Sequence, residues 1–260
     1  MYKYAFIFFI AASVVSATEQ PITDLLKPCD AKIVQKIYQM LLDVHDFFTL
    51  YKIPYIIDSG TLLGAVRHRG LIPWDDDLDL CIFEEDEQRL LDVFPILRSI
   101  GYEIVGMPFG YKIYSTDGLP VDELPWTHPG CDIFIMSKEE NNAFYKHRFS
   151  RERGCNLEVS LKDIFPLRTY TFGPLIVMGP RNPIPYLNNW YGDNYFTVAY
   201  IDFLHSTESA VKKTVKLLEK EDFKPALPDQ PLERRLVRHP IKQWPVDFAI
   251  SYERAKRNHP

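Results

Sequence analysis

Apolar residues at Ile33, Val34, Ile37, Met40, Leu41, Val44, Phe47 and Phe48 recur at three- and four-residue steps between Ala31 and Thr49. That period gathers them on one stripe of a helix, with Asp30 before it as N-cap and a sheet as the partner of the stripe. The pattern then changes. Pro54-Tyr55-Ile56-Ile57-Asp58 is a short run rich in strand formers, followed by the small residues Ser59-Gly60-Thr61 and by Leu62-Leu63-Gly64-Ala65-Val66, which open a brief helix. Gly70 and Pro73 interrupt the chain before a second strand from about Asp76 to Phe83, where Asp77, Asp79 and Cys81 alternate with Leu78, Leu80 and Ile82. A helix over 85–99, with Leu90, Leu91, Phe94 and Leu97 inward, and strands over 111–115 and 131–136 complete the regular part.

Beyond Lys138 the pattern thins. Residues 160–200 mix short apolar runs with many Pro, Gly and Asn, a helix is expected around 209–220, and the basic tail Arg254-Ala255-Lys256-Arg257 reads as a solvated end. There is no internal repeat. Strands interleaved with helices make the class α/β (α+β), with an irregular C-terminal extension.

The 260 residues suit one substantial domain, and 46% hydrophobic against 25% charged residues is the composition of a folded globule. A net charge of −5 excludes the broad basic surface that nucleic-acid binding needs, so no nucleic acid is expected as partner and an anionic substrate must be held locally. The first residues combine Lys3, an apolar run from Ala5 to Val15 and small residues up to Ala17. This is the layout of a signal peptide over 1–17, leaving 18–260 as a single domain, with a retained signal-anchor as the alternative. No later segment is long and apolar enough to span a membrane, so no stable span is expected after cleavage, and the location expected is the secretory lumen (Golgi or endoplasmic reticulum) or outside the cell. Cys29, Cys81, Cys131 and Cys155 allow three pairings, and Cys81 and Cys131, in strand-like runs, fit buried free thiols as well as bridges. The chain holds no Asn-X-Ser/Thr acceptor.

Candidate chemistry concentrates in Trp74-Asp75-Asp76-Asp77-Leu78-Asp79. In a strand, Asp77 and Asp79 share a face, with Asp75 joining them if the strand begins early. Carboxylates packed so closely repel and raise one another's pKa unless a cation neutralises them. A hard divalent ion, Mg²⁺ or Mn²⁺, suits oxygen ligands and substrate phosphate. Asp132 is an isolated acid in the apolar run Cys131-Asp132-Ile133-Phe134-Ile135-Met136, and a lone buried carboxylate requires a partner, either that same ion or a buried Lys or Arg. The Gly60-Thr61 turn, at a helix start, offers backbone N–H groups to phosphate. An EF-hand loop is disfavoured, because Leu80 stands where that loop needs Gly and residue 86 is Asp rather than Glu.

The run Asp58-Ser59-Gly60-Thr61-Leu62-Leu63-Gly64-Ala65-Val66-Arg67-His68, then Gly70-Leu71-Ile72-Pro73-Trp74-Asp75-Asp76-Asp77-Leu78-Asp79, resembles the signature of the LicD/fukutin family of the nucleotidyltransferase superfamily. Weaker likeness continues through Ile164-Phe165-Pro166-Leu167 and Tyr186-Leu187 to Trp190-Tyr191-Gly192-Asp193, so that about residues 40–195 are covered. The resemblance implies a nucleotidyltransferase-type mixed sheet flanked by helices. It also implies a metal-dependent transferase that moves a phospho-alcohol such as phosphocholine or ribitol phosphate from a CDP-alcohol donor to a glycan acceptor. On that pattern Asp77 and Asp79 are metal ligands, and Asp132 is a further ligand or the general base. Gly60 and Thr61 hold phosphate, Arg67 and His68 offset its charge, and Trp74 stacks on the donor base or anchors its loop. The rival readings are transfer of the nucleotidyl group itself and a non-catalytic glycan- or calcium-binding protein.

Overall fold

The computed structural model describes residues 26–154 and 157–236. The expected leader at 1–17, Cys155 and the basic tail at 254–257 lie outside the described residues. Helix α1 spans Ala31–Leu50 as the periodicity predicts, and the Asp30 side chain accepts the Lys32 N–H at 2.8 Å, a proper N-cap. Its stripe is fully buried, with Ile37, Leu41, Val44, Phe47 and Phe48 at 0% exposure. Burial of each such side chain contributes about 1.5–3 kcal/mol, so packing rather than helix propensity holds α1 in place.

The stripe covers a mixed sheet built from β1 (Tyr55–Ile57), β2 (Leu78–Phe83), β3 (Tyr102–Met107), β4 (Gly110–Pro120) and β5 (Thr127–Glu139). Among the described residues the order is β1-β2-β5-β4-β3, with β6 (Asn142–Tyr145) added to β5 and β7 (Glu158–Ser160) to β6. Only β2 and β5 run parallel; the other pairings are antiparallel. Where they pair, over 78–83 and 131–136, both are apolar apart from one aspartate each, because both are central strands.

Two elements differ from the sequence expectation. The helix expected over 85–99 is divided into a 3₁₀ turn at Glu84–Asp86, α3 (Glu87–Val93) and α4 (Pro95–Arg98). Pro95 lacks the N–H that a continuous helix needs and sits instead at the start of α4, where none is required. The helix expected around 209–220 is a strand, β11 (Ser209–Leu217), paired with β10 (Val198–Leu204) in a hairpin separate from the main sheet. Its lysines suggest a helix, but Val211, Thr214 and Val215 are β-branched and the complementary strand lies immediately upstream. A second hairpin joins β8 (Arg168–Phe172) to β9 (Leu175–Gly179).

The extended segment around 230–235, beyond β11, returns along α1. Gln35 and Gln39 each donate to a backbone carbonyl, of Gln230 and Glu233, and accept the N–H of the same residue at 2.9 Å. Arg235 then ends the strap on Asp43, a carboxylate 1% exposed that also accepts from the Tyr102 hydroxyl. No helix among the described residues is long and apolar enough to cross a membrane.

Candidate metal centre and cleft

The parallel pairing of β2 with β5 sets Asp79 directly opposite Asp132 in register, so their side chains leave the same face. Asp77 precedes β2 by one residue and joins them: ligand atoms of Asp77, Asp79 and Asp132 all lie within 4.8 Å of one another. Lys112 stands opposite Asp132 on the other side, in β4, and its Nζ meets Asp132 Oδ1 at 2.8 Å. Asp132, the isolated acid of the apolar run 131–136, therefore meets both a buried lysine and the acidic pair that would share a cation with it.

The turn between β1 and β2 braces Asp79. The Gly60 N–H donates to Asp79 Oδ2 at 3.1 Å, and the Thr61 hydroxyl accepts the Asp79 N–H at 2.8 Å. Helix α2 (Ser59–Leu63) is capped by Asp58, which accepts the Ser59 N–H at 2.6 Å. The Gly60 N–H expected to cradle phosphate is thus engaged with Asp79. A Cβ on Gly60 would stand 2.8 Å from Asp75 Oδ2 and 3.4 Å from Asp79 Oδ2, which is why glycine is required where the acids close on the turn. Ser59 holds φ at 38°, a left-handed value for a side-chain-bearing residue, and so stores strain at this turn.

Beneath the turn lies a second group of polar side chains. Asp58 is completely buried and accepts from the Cys81 thiol at 2.6 Å and the Tyr145 hydroxyl at 2.7 Å. Tyr145 Oη accepts in turn from Trp190 Nε1 at 3.1 Å and lies 3.3 Å from the Tyr186 hydroxyl, tying α7 (Ile184–Tyr191) to the turn. Helices α5 (Arg148–Gly154) and α6 (Leu161–Ile164) complete the set. Cys29, Cys81 and Cys131 are free thiols.

Burial dominates the ionisation of the acidic floor. It raises Asp75 to about 8, with Asp77 adding to the effect, and raises Asp77 to about 6, opposed by His205. Asp79 is driven well above the ordinary carboxylate range by burial, then by Asp77 and Asp132. Asp77 Oδ2 is buried and has no hydrogen-bond partner among the described residues. Three crowded carboxylates, one with an oxygen that accepts no hydrogen bond, could hold a divalent cation, and the residues present fit Mg²⁺ or Mn²⁺.

The floor opens into a cleft of about 900 Å³, lined by Gly60, Arg67, Trp74, Asp75, Asp132 and, on the hairpin side, Tyr200, Phe203 and His205. Arg67 lies at its edge, 7% exposed, with Nη1 donating to the Tyr195 and Val198 carbonyls at 2.7 and 3.2 Å, so it fastens the root of the β10–β11 hairpin. Trp74 lines the cleft while packing against the core. His68 is 3% exposed and outside the lining: its Nε2 lies 3.1 Å from the Asp222 carbonyl and its ring stacks on Phe223. Burial, then Arg67, lowers it to about 4.

The site also contains residues that sequence spacing did not single out. His205, in the hairpin turn, places Nδ1 3.0 Å from Asp76 Oδ1 and Nε2 3.2 Å from Asp77 Oδ2. Glu208, from the same turn, approaches Lys112 at 3.4 Å and accepts from Trp126 Nε1 at 3.3 Å. Lys112 could have been found as the cation in a strand facing Asp132; nothing local marks His205.

Comparison with known proteins identifies the family. A family model described as the LicD/FKTN/FKRP nucleotidyltransferase domain matches residues 52–182. An uncharacterized protein of Rickettsia prowazekii (strain Madrid E) is 38% identical over 204 residues, covering 76% of this chain and 71% of that protein. The lipopolysaccharide cholinephosphotransferase LicD of Haemophilus influenzae is 46% identical over 57 residues, 20% of this chain and 22% of its own. The ribitol 5-phosphate transferase FKRP of Mus musculus is 56% identical over 32 residues, 12% of this chain and 6% of its own.

Proposed function

The chain belongs to the LicD/FKTN/FKRP family, a family that includes transferases of phosphorylated alcohols, and from that membership we propose a specific reaction for it. A phospho-alcohol, phosphocholine or ribitol phosphate or a similar group, passes from a CDP-activated donor to a glycan hydroxyl with release of CMP. The observation that carries this reading is the set of three carboxylates from two neighbouring parallel strands, Asp77, Asp79 and Asp132, converging at the floor of the cleft.

Asp77, Asp79 and Asp132 would hold a divalent cation, which when bound neutralises phosphate charge and stabilises the leaving oxygen. The chain's own residues do the rest. Gly60 and Thr61 fix Asp79 from its side chain and its backbone, and Lys112 holds Asp132 in an ion pair. Arg67 keeps the hairpin root closed, so that Tyr200 and Phe203 wall the cleft and exclude water from the reacting groups. The acceptor oxygen forms a bond to the phosphorus that carries the alcohol as the bond to CMP breaks. Asp75, which lines the cleft beside the triad, takes the acceptor's proton when it is ionised. Most of the rate would come from positioning and charge compensation.

The family's description as a nucleotidyltransferase domain supports one rival, transfer of the nucleotidyl group to the acceptor. A panel of CDP-alcohols incubated with a glycan acceptor and Mg²⁺ or Mn²⁺ separates the two. Release of CMP with an acceptor heavier by the phospho-alcohol supports the proposal, and an acceptor heavier by the nucleotidyl group supports the rival. No product with any donor would leave a binding protein. From the leader expected over 1–17 we further propose that this chemistry takes place in the secretory lumen or outside the cell, and N-terminal sequencing of the mature chain tests whether cleavage follows Ala17.

A further inference from the structure

The imidazole of His205 stands between two carboxylates in unequal ways. Nδ1 is 3.0 Å from Asp76 Oδ1 with hydrogen-bond geometry, whereas Nε2 is 3.2 Å from Asp77 Oδ2, an oxygen that receives no hydrogen bond among the described residues. Asp77 is 3% exposed, so that oxygen has no recourse to bulk water. Here one nitrogen is oriented by a carboxylate and the other is turned toward an unpartnered ligand oxygen.

That arrangement has the layout of a carboxylate–histidine–metal relay, in which a ligating imidazole donates its second N–H to an outer carboxylate that fixes ring and tautomer. The spacing agrees as well: neighbouring ligand atoms on an octahedral cation with bonds of about 2.1 Å lie about 3 Å apart. Asp76, Asp77 and His205 form a group whose ligand atoms fall within 4.8 Å of one another, and Asp77 is shared with the Asp79–Asp132 group. We propose that His205 is a ligand of the cation held by Asp77, through Nε2, and that Asp76 is the residue that orients it. The inference rests on the reading of Asp77, Asp79 and Asp132 as a cation site and adds a nitrogen donor to that oxygen set. Imidazole suits Mn²⁺ and later transition ions better than Mg²⁺, so His205 biases the choice of metal. Because the ligand comes from the β10–β11 hairpin, the cation also fastens that hairpin to the sheet.

Metal binding by the full chain, without substrate, tests this. Mn²⁺ is titrated by loss of the free-ion electron paramagnetic resonance signal, and Mg²⁺ by calorimetry. The wild type should show echo modulation from a directly bound imidazole nitrogen. His205→Gln should abolish that modulation and weaken Mn²⁺ binding by about tenfold or more while Mg²⁺ binding changes much less. Asp76→Asn should weaken Mn²⁺ in the same direction. Ser209→Ala, which removes the 2.7 Å contact between the Thr207 and Ser209 hydroxyls in the hairpin turn without touching the imidazole, should leave both affinities nearly unchanged. Absence of the nitrogen modulation in the wild type overturns the inference, as does an equal loss of Mn²⁺ binding in Ser209→Ala and His205→Gln. Asp79→Asn separates the layers: if it binds Mn²⁺ as the wild type does, the carboxylate site itself is wrong, whereas loss in Asp79→Asn beside normal binding in His205→Gln overturns only the role of His205.

Discussion

Asp58 and Asp79 are backbone neighbours across the ends of β1 and β2, the Asp58 N–H donating to the Asp79 carbonyl at 2.9 Å, yet their carboxylates meet opposite surroundings. Asp58 receives the Ser59 amide, the Cys81 thiol and the Tyr145 hydroxyl, donors from three different elements. Asp79 receives one amide and faces Asp77 and Asp132. Both are buried, and burial raises the pKa of both, but hydrogen bonds oppose the rise at Asp58 whereas further carboxylates reinforce it at Asp79. A buried acid matched by donors holds the fold together; acids crowded with too few donors hold a place for a charge from outside.

The contrast predicts separable losses. Asp79→Asn should lower CMP release by about a thousandfold or more, with the thermal midpoint unchanged or higher because one crowded like charge is gone. Turnover near that of the wild type would remove Asp79 from the working set. Asp58→Ala should act in the other direction and cost about 3 kcal/mol in urea unfolding, since the Tyr145 hydroxyl, the Cys81 thiol and the Ser59 amide all lose their acceptor. A loss under about 1 kcal/mol would mean that the buried group is no keystone.

Gly60→Ala sharpens the comparison at its boundary. The new methyl meets Asp75 Oδ2 and Asp79 Oδ2, so we expect Mn²⁺ affinity to fall by about tenfold with only a small change in stability. Unchanged binding in a paramagnetic titration would show that the acids move aside freely. The smallest effect concerns His68, which is packed away from the cleft. Its pKa falls from the ordinary 6.5 to about 4, so between those values the unfolded chain binds a proton that the folded one refuses. Its contribution is therefore complete above about pH 6.5 and is lost as pH falls toward 4. His68→Gln should flatten stability against pH in that window, and an unaltered slope in equilibrium unfolding would argue against it.

What was legible in the chain was what local pattern controls. The α1 stripe, the strand around Leu80 and the isolation of Asp132 among apolar neighbours follow from short-range periodicity, and the three acids meet as strand parity and the superfamily pattern suggest. The rest depends on long-range pairing. Lys112 matters because register sets it against Asp132, and His205 matters because a hairpin of ordinary-looking residues folds back over the sheet. The same hairpin hides a strand in a lysine-rich stretch that composition alone would give to a helix. Gly60 and Thr61 illustrate another limit: their place was visible, but only the geometry shows that their hydrogen bonds go to Asp79.

The parallel pairing of β2 with β5 reaches beyond catalysis. Asp79 and Asp132 are roughly fifty residues apart in the chain and meet only when that nonlocal pairing closes. Neither strand alone presents more than part of the ligand set, so a growing or half-folded chain has little to offer a cation. Closing a loop of that length costs entropy that local contacts do not, so this pairing lags the formation of α1. On the proposed reading, ion capture would be a timestamp: it would mark the moment β2 and β5 have met, and a chain that stalls earlier would stay metal-free.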